Sequence, residues 1–520
     1  MALLSTVRHY FPLELSSLLL ALSCFIVTVL FLFTLRTRTS KSKLNLNRIP
    51  SPPKLPIIGN LHQMGSLPHR SFRTLSEKYG PIMFLQLGQI PTVVVSSAEL
   101  ASEIMKTHDL AFADRPQGIG PTLLLYGCND IGFGNYDEKW RQKKKICVNE
   151  FLSLRRVQSF KNVREEEARE LVNKIRALCS TGAGSVNLTD LLIASSNNIV
   201  SKCALGDQFN TEANTRIGEL ARKVMINLLA FSVGDYFPSF RWVDVLTGLV
   251  PRLKAIFREL DDFFESVIEE HRSMMKKTRD DQFSMRKNLL DILLQLLDDG
   301  MLGDSFSQND LKSILMDMFV GGSDSSSATM EWAMAELVMN PTKMQKAQEE
   351  VRRVVGNNSK IEDEDINQMN YLKCVAKEIL RLHPAATLIP PRLSRSSVNL
   401  GGYNIPAKTT LYINAWAIQR DSDFWERPEE FIPERFEQND VEFKGKNFHF
   451  IPFGSGRRGC PGMIFGVAAV ESMLANLLYW FDWKLPTVNG VTVQHMDMEE
   501  TFGLVVSKKV PLYLQPIPHY

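Results

Sequence analysis

Leu15 to Leu35 reads LSSLLLALSCFIVTVLFLFTL, 21 residues without a charge, which as a helix would span about 31 Å, one hydrocarbon core. Arg36, Arg38, Lys41, Lys43 and Arg48 follow it, whereas before it Arg8 stands against Glu14, so the positive-inside rule puts the rest of the chain on the cytosolic side. The apolar run continues past the small-x-small stretch Ala21-Leu22-Ser23, which predicts a retained anchor and not a cleaved signal peptide. Prolines 50, 52, 53 and 56 come next and favour stiff, extended backbone, either a semi-rigid strut or a plain linker. The expected organisation is a short luminal segment at 1–14, an anchor at 15–35, a basic and proline-rich hinge at 36–60, and one large domain at 61–520. No internal repeat and no second linker divides the body.

Within the body, apolar residues recur every three or four positions over Phe160–Cys179, Arg216–Phe231, Val250–Lys277, Asn309–Met339 and Tyr371–His383, which predicts long amphipathic helices. Strand patterns are short: Ile82–Leu87, Thr92–Val95, Val398–Leu400 before the Gly401-Gly402 turn, and Thr409–Ile413 after it. The predicted class is mainly α with a smaller β part.

Composition changes this picture little. Hydrophobic residues make up 44% and charged residues 23% of 520, as in an ordinary folded protein with a sizeable core. Lys+Arg at 60 against Asp+Glu at 58 leaves no global field to attract nucleic acid, so charged recognition has to be local. The seven cysteines (24, 128, 147, 179, 203, 374 and 460) are odd in number and never form C-x-x-C, which fits a reducing compartment without a multi-thiolate metal site. Sequons at Asn187 and Asn357 would then not meet the glycosylation machinery.

One cysteine carries chemistry. Gly454, Gly456 and Gly459 match G-x-G-x-x-G, but only about 60 residues follow, Pro452 disfavours a central strand, and the loop ends on a thiol, which excludes a dinucleotide fold. Gly456, Gly459 and Gly462 leave room for a large planar ligand near Cys460, and a helix-like run from Met463 to Leu478 would bring its positive end towards the sulfur. A lone thiolate in such a loop suits the axial ligand of a haem iron, with Arg458 available for a haem propionate.

Phe453, Gly456, Arg458, Cys460 and Gly462 fill F-x-x-G-x-R-x-C-x-G and resemble the haem-binding loop of the cytochrome P450 monooxygenases, a resemblance that extends over the whole chain. It implies that family's fold, with haem b between a long oxygen-side helix and the cysteine loop. Glu378 and Arg381 resemble the family's E-x-x-R pair, with Arg435 of Pro433-Glu434-Arg435-Phe436 as third member of a buried structural network. Gly321-Gly322-Ser323-Asp324-Ser325 is similar to A-G-x-D-T, interrupting the long helix, and casts Asp324 and Ser325 as a proton relay to dioxygen. The chain departs in having Gly321 for alanine and Ser325 for threonine; serine keeps the hydroxyl but loses the methyl that limits its rotamers. Trp140-Arg141-x-x-Lys144-Lys145 resembles W-R-x-x-R-K, casting Trp140 and Lys144 as propionate contacts, with a point charge replacing a bidentate fork. Arg392 matches another propionate partner. Lys143 and Lys145 are expected to face outward, towards an electron-donor flavoprotein or simply towards solvent.

By family position the substrate pocket draws on Gly118 to Tyr126, Phe319, Gly322, Ala385 to Ile389 with Ala386 and Leu388 foremost, and Gly503 to Val506 with Leu504 and Val505 foremost, mostly apolar and without a charged anchor. Segments LPIIGNL, EWAMAEL and KEILRLHP look most like the plant A-type group, clan 71. The resemblance implies a membrane-anchored enzyme of the endoplasmic reticulum that inserts one oxygen atom into a small lipophilic specialised metabolite such as a terpenoid, phenylpropanoid, alkaloid or amino-acid derivative. No flavin or NADPH module is recognisable, so electrons from NADPH would come through a separate reductase, with cytochrome b5 a further candidate donor. The rival readings are a haem-thiolate isomerase or dehydratase working without reductase, and a non-catalytic haem or lipophile binder; the acid–alcohol pair argues against both.

Overall fold

The computed structural model describes residue 46 and residues 48–519, except 183, 207–210, 278–286, 302–305, 438, 489–490 and 493–494. The expected anchor at 15–35 and the luminal segment at 1–14 lie outside the described residues.

Eleven of the helices set the architecture: α1 (Pro68–Tyr79), α2 (Glu138–Ile146), α3 (Lys161–Ser180), α4 (Leu188–Leu205), α5 (Thr211–Leu228), α6 (Leu249–Lys277), α7 (Gln308–Gly322), α8 (Asp324–Met339), α9 (Pro341–Val355), α10 (Asn370–Leu382) and α11 (Met463–Trp480). The periodic stretches all form helices, within a few residues of their expected bounds. α4 and α9 lie outside the predicted stretches; α4 is buried on most of its surface, where an apolar stripe is not required, whereas α9 does carry one in Met344, Ala347, Val351 and Val355. α8 packs against α4 and α11, α3 packs against α4 and α11, and α5 lies along α6, with one continuous apolar core running between them. Among the described residues α11 alone is long and apolar enough to cross a bilayer, but it packs on α3, α8, α9 and α10 as a core helix.

The smaller part is a four-stranded sheet of β1 (Ile82–Leu87), β2 (Ile90–Val95), β3 (Leu388–Leu393) and β4 (Thr410–Asn414) in the order β1-β2-β4-β3. β1 and β2 are antiparallel, β2 and β4 parallel, and β3 runs antiparallel to β4 with a bulge between Ile389 and Arg392. A two-stranded hairpin, β5 (Glu500–Thr501) and β6 (Ser507–Lys508), lies near the C-terminus.

Residues 48–60 of the hinge are docked on the sheet. Phe84 donates its N–H to the Pro50 carbonyl, and the Asn60 amide donates to the carbonyls of Pro52 (3.3 Å) and Pro53 (3.2 Å) while its oxygen accepts the Gln86 N–H at 2.8 Å. The proline run is therefore a strut tied to β1.

The oxygen-side helix is helical almost throughout, although the seven consecutive poor helix formers Gly321 to Ser327 predict a wider interruption. The break is confined to Ser323, between α7 and α8. The hydroxyls of Ser325, Ser327 and Thr329 donate back to the carbonyls of Gly321, Asp324 and Ser325, satisfying themselves within the helix.

Candidate functional site

Cys460 lies in the loop that leads into α11. Its N–H donates to the Phe453 carbonyl at 2.9 Å, Gly459 N–H closes a turn on Gly456 O at 3.0 Å, and Gly462 caps the helix. The sulfur opens into a largely apolar cavity of about 310 Å³. Burial raises the Cys460 thiol above its ordinary value, against the Gly462 N–H and the Lys144 ammonium, both of which favour the thiolate. Gly456 does not make room for a ligand, as the sequence suggested. Its φ is +71°, and a Cβ there would stand 2.4 Å from the Met105 carbonyl oxygen, so it lets the loop pack on residues 105–109.

Facing the cysteine loop, α7 and α8 present Met318, Gly321, Gly322, Ser325 and Thr329 along one stripe. Gly321 has open space where a Cβ would stand. Asp324 is half-buried, and burial raises its carboxyl while Arg222 partly offsets this. Ser325 lines the cavity but Asp324 does not. Further lining comes from Leu125, Val200, Met225, Ala386, Leu504 and Val505. Phe319, expected in the pocket, is on the other face of α7 and packs near the Phe264 ring (6.2 Å). Leu388 likewise faces away, towards the cluster around Phe72 and Leu85, because alternation along β3 gives the cavity face to Ile389. Of Gly118 to Tyr126, Leu125 alone reaches the cavity.

One edge of the cavity is cationic. Arg458 rests on the Trp140 ring (4.3 Å) and donates to the carbonyls of Ala113, Ile131 and Gly134. Lys144 also lies over Trp140 and donates to the carbonyls of Arg457 and Gly459. Burial, followed by repulsion from Arg458, lowers Lys144 to about 8; burial and then Arg392 lower Arg458 to about 10. The third cation lining the cavity is Arg115, which no motif singled out. It is held by the carbonyls of Gly132, Pro390 and Pro391 and lowered by burial and by repulsion from Arg458 and Arg392. Its legible trace was a lone Arg before Pro116, too common a pair to signal anything.

Arg392 stands behind this edge. It donates to Asp109 at 3.0 Å and to the Ser455 carbonyl at 3.1 Å, its Nε is without a partner, and it does not line the cavity. Two acids at the cavity were also missed: Asp317 accepts the N–H groups of Ile131 and Gly132, Asp130 accepts that of Phe133, and burial raises both. Lys143 is a correction. It is buried, not outward-facing, and bonds Asn129 and Asp310 (3.1 Å), while Lys145 is exposed as expected. Burial alone would raise Asp310, but Lys139 and the Ser307 cap of α7 hold it far below the usual carboxylate range.

Behind the cysteine loop, Glu378 and Arg381 form a bidentate pair at 2.7 and 2.8 Å, both fully buried, and Arg435 joins Glu378 at 3.1 Å. Arg381 also donates to the carbonyls of Gln419, Pro428 and Glu430. α10 carries this pair because its first N–H groups, on Tyr371 and Leu372, are capped by Glu350 and Pro384 follows its end.

These residues fit a haem. Arg115 and Arg458, both buried, and the half-buried Lys144 crowd one edge of an apolar cavity, where Arg458 lowers the proton affinity of the other two, an arrangement that a dianionic edge would relieve. A thiol faces the cavity from one side and a side-chain-free notch in α7 from the other.

Residues 49–515 match the family model of cytochrome P450. The phenylacetaldehyde oxime monooxygenase CYP71AN24 of Prunus mume is 49% identical over 502 residues, covering 96% of this chain and 95% of that one. Cytochrome P450 71A1 of Persea americana is 50% identical (88% and 90% covered), and the desmethylyatein synthase of Sinopodophyllum hexandrum 47% identical (91% and 94%). Among solved structures, a zebra fish cytochrome P450 determined with progesterone superposes with a TM-score of 0.74 at 23% identity, over 87% of this chain and 99% of that one, a likeness of fold.

Proposed function

This chain belongs to the cytochrome P450 family, and from that premise we propose how its own residues divide the work and what it acts on. It is a cytochrome P450 monooxygenase of the plant clan 71 type with haem b as cofactor. Bound haem supplies the activation of dioxygen. Cys460 would ligate its iron as thiolate, since metal binding removes the proton that burial otherwise keeps on the sulfur. Lys144, Arg458 and Arg115 would take the propionates over Trp140. Arg392, through Asp109 and the Ser455 carbonyl, holds the loop that carries Arg458. Burial keeps a proton on Asp324 to higher pH than on a free carboxyl; Ser325 would pass it into the cavity by turning its hydroxyl away from the Gly321 carbonyl.

The carrying observation is the cavity itself, in which Cys460 and the Gly321–Ser325 notch share a lining otherwise mostly apolar. It supports a small neutral lipophilic substrate, a specialised metabolite such as a terpenoid, phenylpropanoid, alkaloid or amino-acid derivative, and the relative named phenylacetaldehyde oxime monooxygenase supports the same class. Electrons would come from NADPH through a separate reductase, with cytochrome b5 as a second donor, at an endoplasmic reticulum membrane held by residues 15–35. The test is incubation of the full chain with reductase, NADPH and isotopically labelled dioxygen against phenylacetaldehyde oxime and other neutral lipophiles. We expect products that require both reductase and NADPH and depend on dioxygen; turnover without reductase would overturn the reading in favour of an isomerase or dehydratase.

A further inference from the structure

Leu504 and Val505 line the cavity from the turn between β5 and β6. Two-residue strands cannot hold such a wall by themselves. On one side Val506 donates its N–H to the Ala385 carbonyl at 2.9 Å, and Lys508 lies over the Trp332 ring of α8 at 5.2 Å. On the other side the hairpin meets α1, more than 400 residues earlier. Glu500, 4% exposed, accepts from Nε2 of the fully buried His69 at 2.8 Å and from Arg70 Nε on the same oxygen. The His69 ring stacks on Phe502 (5.9 Å, 23°) and meets Trp416 edge-on at 5.1 Å. α1 is fixed in turn, because the His69 carbonyl accepts the Asn414 amide at the end of β4. One imidazole therefore touches both Glu500, which opens β5, and Phe502, the first residue of the turn.

We propose that His69 and Glu500 are positioning residues: their buried contact clamps the β5–β6 hairpin to α1 and so sets where Leu504 and Val505 stand against the substrate. Neither residue touches the cavity, and neither belongs to a motif of the cysteine loop or the oxygen-side helix. Burying a carboxylate costs several kcal/mol unless its partners are well placed, so the pair specifies one hairpin position. Loss of either partner frees the turn to shift, and a shift of about 1 Å is enough to change how a substrate is held.

The inference rests on the haem cavity proposed above, and the test separates the two. Full-length, haem-loaded protein is titrated spectroscopically with imidazole, which reads the iron face alone, and with 1-phenylimidazole, whose phenyl ring must also fit the distal wall. The readout is the ratio of their dissociation constants. Glu500→Ala and His69→Ala should each change that ratio about tenfold and Glu500→Gln about threefold, with imidazole affinity unchanged. His69→Gln, whose amide nitrogen replaces Nε2 as donor, should restore it to within about twofold. Should the alanine variants not load haem, Glu500→Gln and His69→Gln carry the comparison. A ratio unchanged in Glu500→Ala and Glu500→Gln, or altered as much in His69→Gln as in His69→Ala, overturns the clamp. A wild-type chain giving no nitrogen-ligand spectrum overturns the haem reading beneath it.

Discussion

Cys460 stands between opposing influences. Desolvation favours the neutral thiol, while the Gly462 amide and Lys144 favour the thiolate. Cys460→Ser should abolish the long-wavelength Soret band of the reduced carbon monoxide complex while leaving circular dichroism intact; persistence of the band would refute thiolate ligation at this position. Ser325→Ala leaves the helix bond from its own N–H untouched but removes the hydroxyl at the cavity, and should divert NADPH consumption from product to hydrogen peroxide, read as the ratio of the two. The glycines respond differently from one another. Gly456→Ala combines a left-handed φ, costing about 1–2 kcal/mol, with a 2.4 Å overlap on a backbone oxygen, and should lower the yield of haem-loaded protein sharply. Gly321→Ala meets nothing within 4 Å and gains helix propensity of about 0.5–1 kcal/mol, so it should fold normally and weaken only larger ligands. The residue type is the same; the surroundings separate the two.

At the scale of elements, α10 shows how a short pattern acquires its meaning. Glu378 and Arg381 at i, i+3 would be worth about 0.3–0.5 kcal/mol on a solvated helix. Here they are fully buried, bidentate, and joined by Arg435 and four backbone groups. Glu378→Ala would leave two guanidinium groups with one carboxylate removed, at a cost of about 3–5 kcal/mol. The expected result is little or no haem-loaded protein on expression, measured by the carbon monoxide difference spectrum against total protein; wild-type loading would show that the network does not support the cysteine loop. The oxygen-side helix teaches the converse. Propensity predicted a broad interruption over Gly321–Ser327, but serine and threonine hydroxyls bond back to the helix carbonyls, and the surrounding core holds both halves in line but for a break at Ser323.

For the whole molecule, the hydrogen bonds of residues 50–60 to β1 tie the proline-rich strut to the body that carries the cavity. Removing residues 1–35 leaves that strut and the core untouched, so the truncated chain should release from the membrane fraction more readily while keeping its carbon monoxide spectrum. Retention of the full chain's membrane partition would place the principal anchor elsewhere.

Periodicity predicted the helical class, and the resemblance of the cysteine loop and of the E-x-x-R and oxygen-side motifs predicted the family and singled out Cys460, the thiol that opens into the cavity, because these depend on local spacing and on residue types with few substitutes. Tertiary structure decided what local spacing cannot encode. Whether Lys143 faces water or Asp310, whether Phe319 or Gly322 meets the cavity, that Arg115 is its third cation, and that His69 reaches Glu500 more than 400 residues away all depend on which surfaces meet when distant segments pack, and burial, which sets the energy and proton affinity of each group, exists only after they have met.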